Sequence, residues 1–294
     1  MIDISCPICK SIESKQIRAG ISSQLIKVDD FKITDSKYGQ TGPLYRCKSC
    51  GFLFVVFKDD CAGYYTQMED KEYEQGRVYR AVQQKILLKH LLKKFPETTT
   101  LLDVGAGTGM LVEEAQKTGL NPIGIELSSW CVDVAKTQGL PVIEGTIPHQ
   151  DLAGRYFDAV TLIDVIEHVP DPIELLVSCA KHLQSGNPLV LVTPDVNSFT
   201  SRLLGKRWWH YRIAHMGYYS KQTISLALEK AGFTVVSIRR PAWYFQVQYL
   251  YERLKQYVPL PDLGKTSNVI SRKIFPLIIP LNLRDSLEII ACKK

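Results

Sequence analysis

The chain has 294 residues, enough for about two domains or for one α/β domain with insertions. Its 36 Lys and Arg against 30 Asp and Glu give a formal charge of +6, and 45% of its residues are apolar. This composition excludes an intrinsically disordered chain and a histone-like basic tail. No apolar stretch approaches the roughly 18 residues of a membrane span, and residues 1–6 lack the character of a signal peptide. We therefore expect a cytoplasmic protein with reduced thiols, and peripheral contact with a membrane stays open.

Four of the eight cysteines form two Cys-x-x-Cys pairs, Cys6 with Cys9 and Cys47 with Cys50. Each pair places two thiolates on one side of a tight turn, and two such turns complete the tetrahedron that Zn2+ prefers. The spacing predicts a structural zinc ribbon over residues 1–60. A rubredoxin-like iron site and a redox-active pair are the alternatives. The remaining cysteines are expected to be small buried apolar residues: Cys61, Cys131, Cys179 and Cys292.

After the ribbon, residues 61–294 alternate between segments of helix type and segments of strand type. Apolar residues at helical spacing predict a helix over 74–94, which Pro96 ends. Strands are predicted over 100–104, 121–126, 141–144, 157–164, 188–193, 233–239 and 286–291. Further helices are predicted over 111–118, 129–138, 172–184 and 221–231. This alternation indicates a Rossmann-like, doubly wound α/β fold, with a mostly parallel sheet and helices on both faces.

An insertion over 241–285 separates the last two predicted strands. It is predicted to contain an amphipathic helix over 244–258 and an apolar stretch over 269–283. We expect a lid packed on the core. Docking of this insertion on a membrane or on a partner subunit is the alternative.

A glycine-rich loop follows the first strand of the predicted sheet. Gly105, Gly107 and Gly109 allow a sharp turn and let a ligand approach main-chain amides that a Cβ would block. Asp103 stands two residues before the loop, where a carboxylate can orient the loop or hold a ligand ammonium group. Glu126 ends the next strand, where doubly wound folds place an acid on ribose hydroxyls. The spacing GxGxG, in place of GxGxxG, argues against NAD.

Three motifs in this order resemble those of class I S-adenosylmethionine (SAM)-dependent methyltransferases. They are the glycine loop in 101–109, the segment 123–128 around Glu126, and the segment 157–172. The resemblance covers roughly residues 75–240. It implies a seven-stranded Rossmann-like sheet whose last strand, 286–294, is antiparallel.

The resemblance also implies which residues contact SAM. Gly105, Ala106 and Gly107 would face its methionine part, and Glu126 would hold its ribose. The family usually has an Asp near position 146 that reads the adenine amine; this chain has Thr146, so Ile147 is expected to pack against the ring. The full set of expected cofactor contacts is Asp103, Gly105, Ala106, Gly107, Gly109, Glu126, Leu127, Thr146, Ile147 and Asp164.

Methyl transfer from a sulfonium needs an acceptor atom in line with the methyl group and often a base. His168, at the carboxyl end of the fourth strand, is one candidate base. The alternative is that Glu167 and His168 cap the following helix and line the cofactor. His215 is the second candidate, because in related enzymes its segment runs across the mouth of the active site. A hydrogen-bonded loop histidine is the alternative there.

Asp164, Glu167 and His168, with Asp195 after the fifth strand, are similar to the metal-binding set of ubiquinone-biosynthesis O-methyltransferases. Such a set would suit Mg2+, which takes oxygen ligands and polarises a phenol. This chain has Asp at two positions where that pattern usually has Glu and Asn, which argues against the metal.

Residues 199–251 hold many of the aromatic residues of the chain, among several arginines and lysines. This composition suggests a pocket for a ring or a glycan that bears anionic groups, such as a phosphate-linked carrier. The basic residues in question are Arg202, Lys206, Arg207, Arg212, Arg239 and Arg240.

These features predict a SAM-dependent methyltransferase that acts on oxygen or carbon of a small molecule, a sugar or a lipid-linked intermediate. One alternative is a ribosomal or other RNA methyltransferase. The charge of residues 1–60 is nearly balanced, however, whereas a surface that binds nucleic acid has an excess of basic residues. The other alternative is a non-catalytic SAM-binding protein whose ribbon docks a partner.

Overall fold

A computed structural model describes residues 4–34, 37–57, 62–255, 258–259 and 273–294. In chain order the strands are β1 Ser14–Arg18, β2 Leu44–Cys47, β3 Leu53–Val55, β4 Thr100–Val104, β5 Asn121–Glu126, β6 Val142–Glu144, β7 Ala159–Ile163, β8 Pro188–Pro194, β9 Gly217–Tyr218, β10 Phe233–Arg239, β11 Trp243–Gln246, β12 Ile278–Leu281 and β13 Ser286–Lys293. The α-helices are α1 Ala62–Thr66, α2 Lys71–Gln75, α3 Arg77–Lys94, α4 Met110–Lys117, α5 Ser129–Thr137, α6 Pro172–Lys181, α7 Phe199–Leu204, α8 Lys221–Lys230 and α9 Val247–Lys255. Short 3-10 helices cover Ser23–Leu25, Val28–Phe31, Gln150–Leu152, Ile166–His168 and Gly205–Arg207.

A seven-stranded sheet in the order β10-β13-β8-β7-β4-β5-β6 forms the centre of the molecule. Strands β4 to β8 run parallel, whereas β13 is antiparallel to both of its neighbours. Every residue of β8 is buried, as expected for an inner strand with helices on both faces. The predicted Rossmann-like sheet with an antiparallel last strand is confirmed.

The two faces of this sheet carry separate apolar layers, because successive strand residues point to opposite sides. Leu101 of β4 and Val190 of β8 pack with leucines of α3 and α4 on one face. Leu102 and Leu191, their chain neighbours, pack with α6 and α8 on the other face. The helices therefore hold the sheet rigidly, and its carboxyl edge is left to the loops.

The predicted helix over 74–94 is in fact two helices, α2 and α3, that meet at Gly76. Asp70 caps α2 by accepting a hydrogen bond from the amide of Tyr73 at 2.9 Å. A Cβ at position 76 would lie 2.4 Å from the hydroxyl of Tyr79, so only glycine fits the junction. The apolar spacing located α3 correctly but did not reveal the separate helix in front of it.

The prediction of a helix over 244–258 is also corrected. Residues Trp243–Gln246 form β11, which pairs antiparallel with β12, and α9 begins only at Val247. Aromatic residues dominate β11 and favour a strand. Phe245 packs against Tyr79 of α3, at 6.4 Å between ring centroids, so this part of the insertion lies on the core. Residues 260–272 of the insertion, which include the start of the apolar stretch over 269–283, lie outside the described residues.

The amino-terminal region is joined to the central sheet through a second, four-stranded sheet, β1-β2-β3-β9. Strand β9 comes from the chain after β8, and its Tyr218 pairs with Leu53 of β3. The ring of Phe52 lies 4.9 Å from that of Tyr219, and both belong to the same core as Leu191. Residues before 60 and residues after 61 therefore share one continuous core, and a separately folding ribbon over 1–60 stays a prediction.

Of the cysteines outside the two pairs, Cys131 and Cys179 are buried and Cys292 is half-buried. Cys61 lies outside the described residues. None of the described cysteines forms a disulfide. Within the described part of the chain, no helix combines the length and the apolar character that crossing a bilayer requires.

Replacing Phe52 by Ala tests the junction between the two sheets. We expect the free energy of unfolding to fall by about 3 to 5 kcal/mol, because a large buried ring is lost from the shared core. Urea denaturation measures the change. The control Tyr156→Ala removes a ring that is 59% exposed and should cost less than about 0.5 kcal/mol. Equal losses in the two variants would contradict a shared core at Phe52.

Candidate functional site

The glycine loop between β4 and α4 adopts the conformation that its composition predicts. Gly105, Gly107 and Gly109 have φ of +76°, +53° and +78°. A Cβ at Gly105 would lie 2.4 Å from the Val165 side chain, and one at Gly109 would lie 2.8 Å from Leu140. The amide of Gly105 donates to the carbonyl of Ile125 at 2.8 Å, which ties the loop to β5. Because glycine has no side chain, the backbone of this loop can pass close to the carboxyl ends of β4, β5 and β7.

Glu126, at the end of β5, is fixed by the loop that it faces. Its two carboxylate oxygens accept hydrogen bonds from the amides of Gly107 at 2.9 Å and Ser128 at 2.8 Å. Burial raises the pKa of this carboxyl, and these amides oppose the rise. Each oxygen keeps a further lone pair, so the carboxylate can accept hydroxyl donors of a ligand. Leu127, the next expected contact, is half-buried.

Two carboxyls, the buried Asp103 and the half-buried Asp164, lie at the ends of neighbouring strands. Burial raises the pKa of each to about 7. The Thr161 hydroxyl donates to Asp103 at 2.7 Å, whereas Asp164 occupies the left-handed region at φ +53°. Neither forms an ion pair with a described residue. The pair suits a cationic group of a ligand, whose charge would lower both pKa values again.

Tyr73 and Arg80, which sequence reasoning missed, close this cleft from the side of α2 and α3. A Cβ at Gly107 would lie 3.5 Å from the hydroxyl of Tyr73. The Arg80 guanidinium lies 4.6 Å from the centre of the Tyr73 ring, and its charge opposes the raised pKa of Asp164. Arg80 has no ion pair with the part of the chain that the structure describes. In the sequence, Arg80 belongs to a predicted helix, but no motif marks it as a functional residue.

The two candidate histidines lie together, with Tyr65 and Glu167, in what we call the histidine cluster. His168 and His215 meet edge to face, with ring centroids 4.7 Å apart. The His168 Nδ1 lies 2.5 Å from the Tyr65 hydroxyl and 3.1 Å from the Ala214 carbonyl. The Tyr65 hydroxyl also donates to this carbonyl, at 3.1 Å. With the proton of neutral His168 assigned to Nδ1, this nitrogen donates to the Tyr65 oxygen, and the Nε2 lone pair is left for another proton.

Burial sets the charge state of this cluster. It lowers the pKa of His168 to about 3 and that of His215 well below its usual value. It raises the pKa of Glu167 far above its usual value, helped by the nearby Asp164. The Thr193 hydroxyl donates to Glu167 at 3.0 Å, whereas His215 Nδ1 is buried without a described hydrogen-bond partner. The histidines are therefore neutral at neutral pH, and burial makes them weak bases, so protonation of His168 would need a nearby negative charge that stabilises the imidazolium.

His168 does not cap α6. That position belongs to Asp171, whose carboxylate accepts from the amides of Ile173 at 3.1 Å and Glu174 at 3.0 Å. The prediction that Glu167 and His168 cap the following helix is therefore wrong, and their lining of the cofactor stays a prediction.

The four residues that are similar to a Mg2+-binding set do not form one group of ligands among the described residues. Asp195 is buried and pairs with Arg240. Among the described residues at this edge of the sheet, Glu167, His168 and His215 have donor atoms that lie within 4.8 Å of one another. Two imidazoles suit Mg2+ poorly.

The basic residues expected to line an anionic pocket are divided between two roles. Arg239 pairs with Glu288, Arg240 with Asp195, and Arg212 donates to the carbonyls of Lys32 and Ile33. These three have structural partners. The other three, Arg202, Lys206 and Arg207, are exposed around α7.

The two residues expected near the adenine ring differ in their exposure to solvent. Ile147 is buried in the core that includes Leu152 and Phe157, whereas Thr146 is exposed. Their contact with the ring stays a prediction.

The four paired cysteines converge although the two pairs are far apart in the chain. Their sulfur atoms all lie within 4.8 Å of one another, with Cys6 to Cys50 at 3.6 Å and Cys9 to Cys47 at 3.4 Å. Sulfurs bound tetrahedrally to Zn2+ at about 2.3 Å would be about 3.8 Å apart. The donor set therefore fits the ion.

Comparison with known proteins agrees with this geometry. The model of the methyltransferase domain family matches residues 74–238. The ubiquinone biosynthesis O-methyltransferase of Nitrosomonas europaea is 35% identical over 118 residues, which cover 37% of this chain and 50% of that protein. The protein of the same name from Xanthomonas oryzae pv. oryzae is 38% identical over 130 residues, covering 38% and 54%. The chain spans about half the length of the curated relatives it matches.

A solved structure of a SAM-dependent methyltransferase from Archaeoglobus fulgidus superposes with a TM-score of 0.52 at 20% identity. The superposition covers 76% of this chain and all of that chain. At this identity the likeness shows a common fold.

The raised pKa of Asp103 and Asp164 predicts a pH-dependent affinity for SAM. With pKa values of about 7, both carboxyls gain protons as the pH falls and lose the charge that would attract the ammonium group. We expect the affinity to fall about tenfold between about pH 8 and about pH 6. Calorimetry with SAM measures it.

The matched variants for this titration are Asp164→Asn and Asp133→Asn. The first should weaken binding at high pH and make the pH dependence shallower. The second changes an exposed residue of α5 and should behave as the wild type. An affinity that stays constant across this pH range would exclude these carboxyls as the ammonium site.

Proposed function

The chain belongs to the methyltransferase domain family, and we propose that it transfers a methyl group from SAM to an oxygen atom of a small molecule. The observation that carries the proposal is the position of the histidine cluster beside the glycine loop. A ligand site for a nucleoside cofactor and a site for proton removal meet there, at the carboxyl edge of the sheet.

The residues that would hold SAM form one continuous surface. The loop of Gly105 to Gly107 would take the methionine part, Asp103 and Asp164 its ammonium group, and Glu126 the ribose hydroxyls. Arg80 is the cation near this cleft that can pair with the carboxylate of the methionine part. Tyr73 would cover the loop. When bound, SAM supplies an electrophilic methyl group on a positively charged sulfur, and its transfer to a hydroxyl group releases a proton.

His168 would accept that proton at Nε2. Tyr65 orients its ring through the contact at Nδ1, so the lone pair is held in one direction. Glu167 belongs to the cluster and interacts with Asp164, and the ionised form of either carboxyl would stabilise the imidazolium that forms. His215 packs against His168 as the second wall of this site.

Oxygen is the acceptor atom that the relatives favour. The curated relatives are named O-methyltransferases of ubiquinone biosynthesis, and they match this chain over about half of their length. A small-molecule substrate accords with those names, and neither RNA methylation nor non-catalytic SAM binding is favoured by the comparisons. Sugar and lipid-linked acceptors remain narrower predictions within this class.

The histidine cluster is tested by turnover of SAM with phenolic and sugar-phosphate acceptors. His168→Ala should lower kcat by about a hundredfold or more, because the general base is lost. Tyr65→Phe should lower kcat about tenfold and leave the KM for SAM unchanged, because it only orients His168. Release of S-adenosylhomocysteine reports the rate.

Tyr64→Phe is the control for Tyr65, since Tyr64 stacks on Phe31 with ring centroids 4.9 Å apart. It should retain the wild-type rate. If His168→Ala and His215→Ala both retain turnover within a few-fold, proximity alone carries the reaction and the assignment of a base is wrong. SAM binding without turnover on any acceptor would favour the non-catalytic alternative.

The four converging cysteines are proposed to hold one structural Zn2+. The ion would fix the two turns against each other and so stabilise β2 and β3, which are joined to β9. Zinc sites of this kind contribute directly to folding free energy.

Metal analysis of the purified chain tests this site. Cys9→Ser with Cys50→Ser should reduce zinc from about one per chain to near zero and lower the melting temperature, since two of four ligands are lost. The control Cys292→Ser changes a cysteine outside the group and should keep its zinc. Iron in place of zinc in the wild type would support the rubredoxin-like alternative.

A further inference from the structure

The short helix α7 exposes two large apolar side chains on adjacent turns. It begins after Ser198, whose hydroxyl accepts from the amide of Ser201 at 3.0 Å. Ser201 is buried and Leu204 packs against the core around Trp208. The opposite side of the helix carries Phe199, which is 77% exposed, and Leu203, which is 72% exposed. Residues four apart lie on the same side of a helix, so these two form one apolar spot.

Basic residues surround this spot. Arg202, Lys206 and Arg207 are all exposed, and residues 196–228 contain no Asp or Glu. Asp195, which precedes this segment, and Asp285, next to Arg284, do not offset this charge, because both are buried and engaged. Asp195 pairs with Arg240, and Asp285 accepts from Trp208 at 3.4 Å. The outward surface of Phe199, Arg202, Leu203, Lys206 and Arg207, here called the α7 face, is therefore apolar and cationic.

The α7 face continues onto the turn before β13. The hydroxyl of Thr200 donates to the carbonyl of Leu283 at 2.6 Å, and Leu283 and Arg284 are exposed. Single exposed apolar residues are common and need no partner. Here Phe199, Leu203 and Leu283 lie on adjoining segments that also carry exposed basic residues, which is the composition of a surface that enters the interface of a bilayer.

We propose that the α7 face docks on the surface of an anionic phospholipid bilayer. Phe199 and Leu203 would enter the boundary between head groups and acyl chains, while the arginines and the lysine would contact phosphate groups. A second copy of this chain is a poorer occupant, since a two-fold contact would bring the same positive charges together. Helix α7 follows β8 directly, so the docked face lies at the edge of the sheet that carries the histidine cluster.

Co-sedimentation of the full chain with vesicles tests the proposal, without SAM or an acceptor, so its outcome does not depend on methyl transfer. We expect binding to vesicles of phosphatidylcholine mixed with phosphatidylglycerol and little binding to phosphatidylcholine alone. Phe199→Ser with Leu203→Ser should weaken binding by about tenfold or more. Each of Arg202→Gln, Lys206→Gln and Arg207→Gln should weaken it by about fivefold.

The matched control is Val78→Ser with Val236→Ser, which removes two exposed apolar residues elsewhere on the surface, Val78 being 73% exposed. It should bind vesicles as the wild type does, and the melting temperature of every variant confirms folding. Three results would overturn the proposal. They are no binding of the wild type to anionic vesicles, equal binding to neutral vesicles, and α7 variants that bind unchanged. A wild-type dimer that the α7 variants convert to monomers, with vesicle binding unaltered, would assign the face to a second copy instead.

Discussion

The backbone of Met216 links the amino-terminal region to the central sheet and fixes the site between them. Its amide donates to the carbonyl of Glu167 at 2.7 Å, and its carbonyl accepts from the amide of Val55 at 2.8 Å. His215 precedes this residue and β9 follows it, so the histidine is held between the end of β7 and strand β3. Main-chain hydrogen bonds shielded from water are costly to break. The geometry of the histidine cluster thus depends on the packing of residues near the cysteines against the methyltransferase fold.

Burial is the second constraint, and it acts on three carboxyls and two histidines at the carboxyl edge. It moves the carboxyls of Asp103, Asp164 and Glu167 toward their protonated forms and both histidines toward neutrality. The site is therefore short of fixed ionic charge although it is rich in ionisable groups. A cationic ligand restores the ionised carboxylates. The same environment keeps the histidines neutral and makes them weak bases, so uptake of a proton there would depend on an ionised carboxylate nearby.

The sequence predicted the central features of the fold because their signals are local. Gly105, Gly107 and Gly109 stand where φ must be positive, and the acid at Glu126 marks the end of the adjoining strand. Alternation of strand and helix patterns predicted the sheet, with boundaries shifted by a few residues. The errors arose where a local pattern competed with packing. Gly76 divides a helix whose apolar spacing continues into α3, and aromatic residues at the start of the insertion form β11 against α3 in place of a helix.

The sequence by itself determined the family, the glycine loop, the four-cysteine group and the two candidate histidines, since each depends on residue types at short spacing. The tertiary structure alone decided which distant residues complete the site. Tyr65 reaches His168 across 103 positions of the chain, and Tyr73 and Arg80 approach the glycine loop from helices that carry no motif. It also decided that Arg239 and Arg240 are engaged in ion pairs while Phe199 and Leu203 face outward. Such contacts, and the pKa shifts that follow from burial, depend on how separate segments pack, which spacing along one chain does not record.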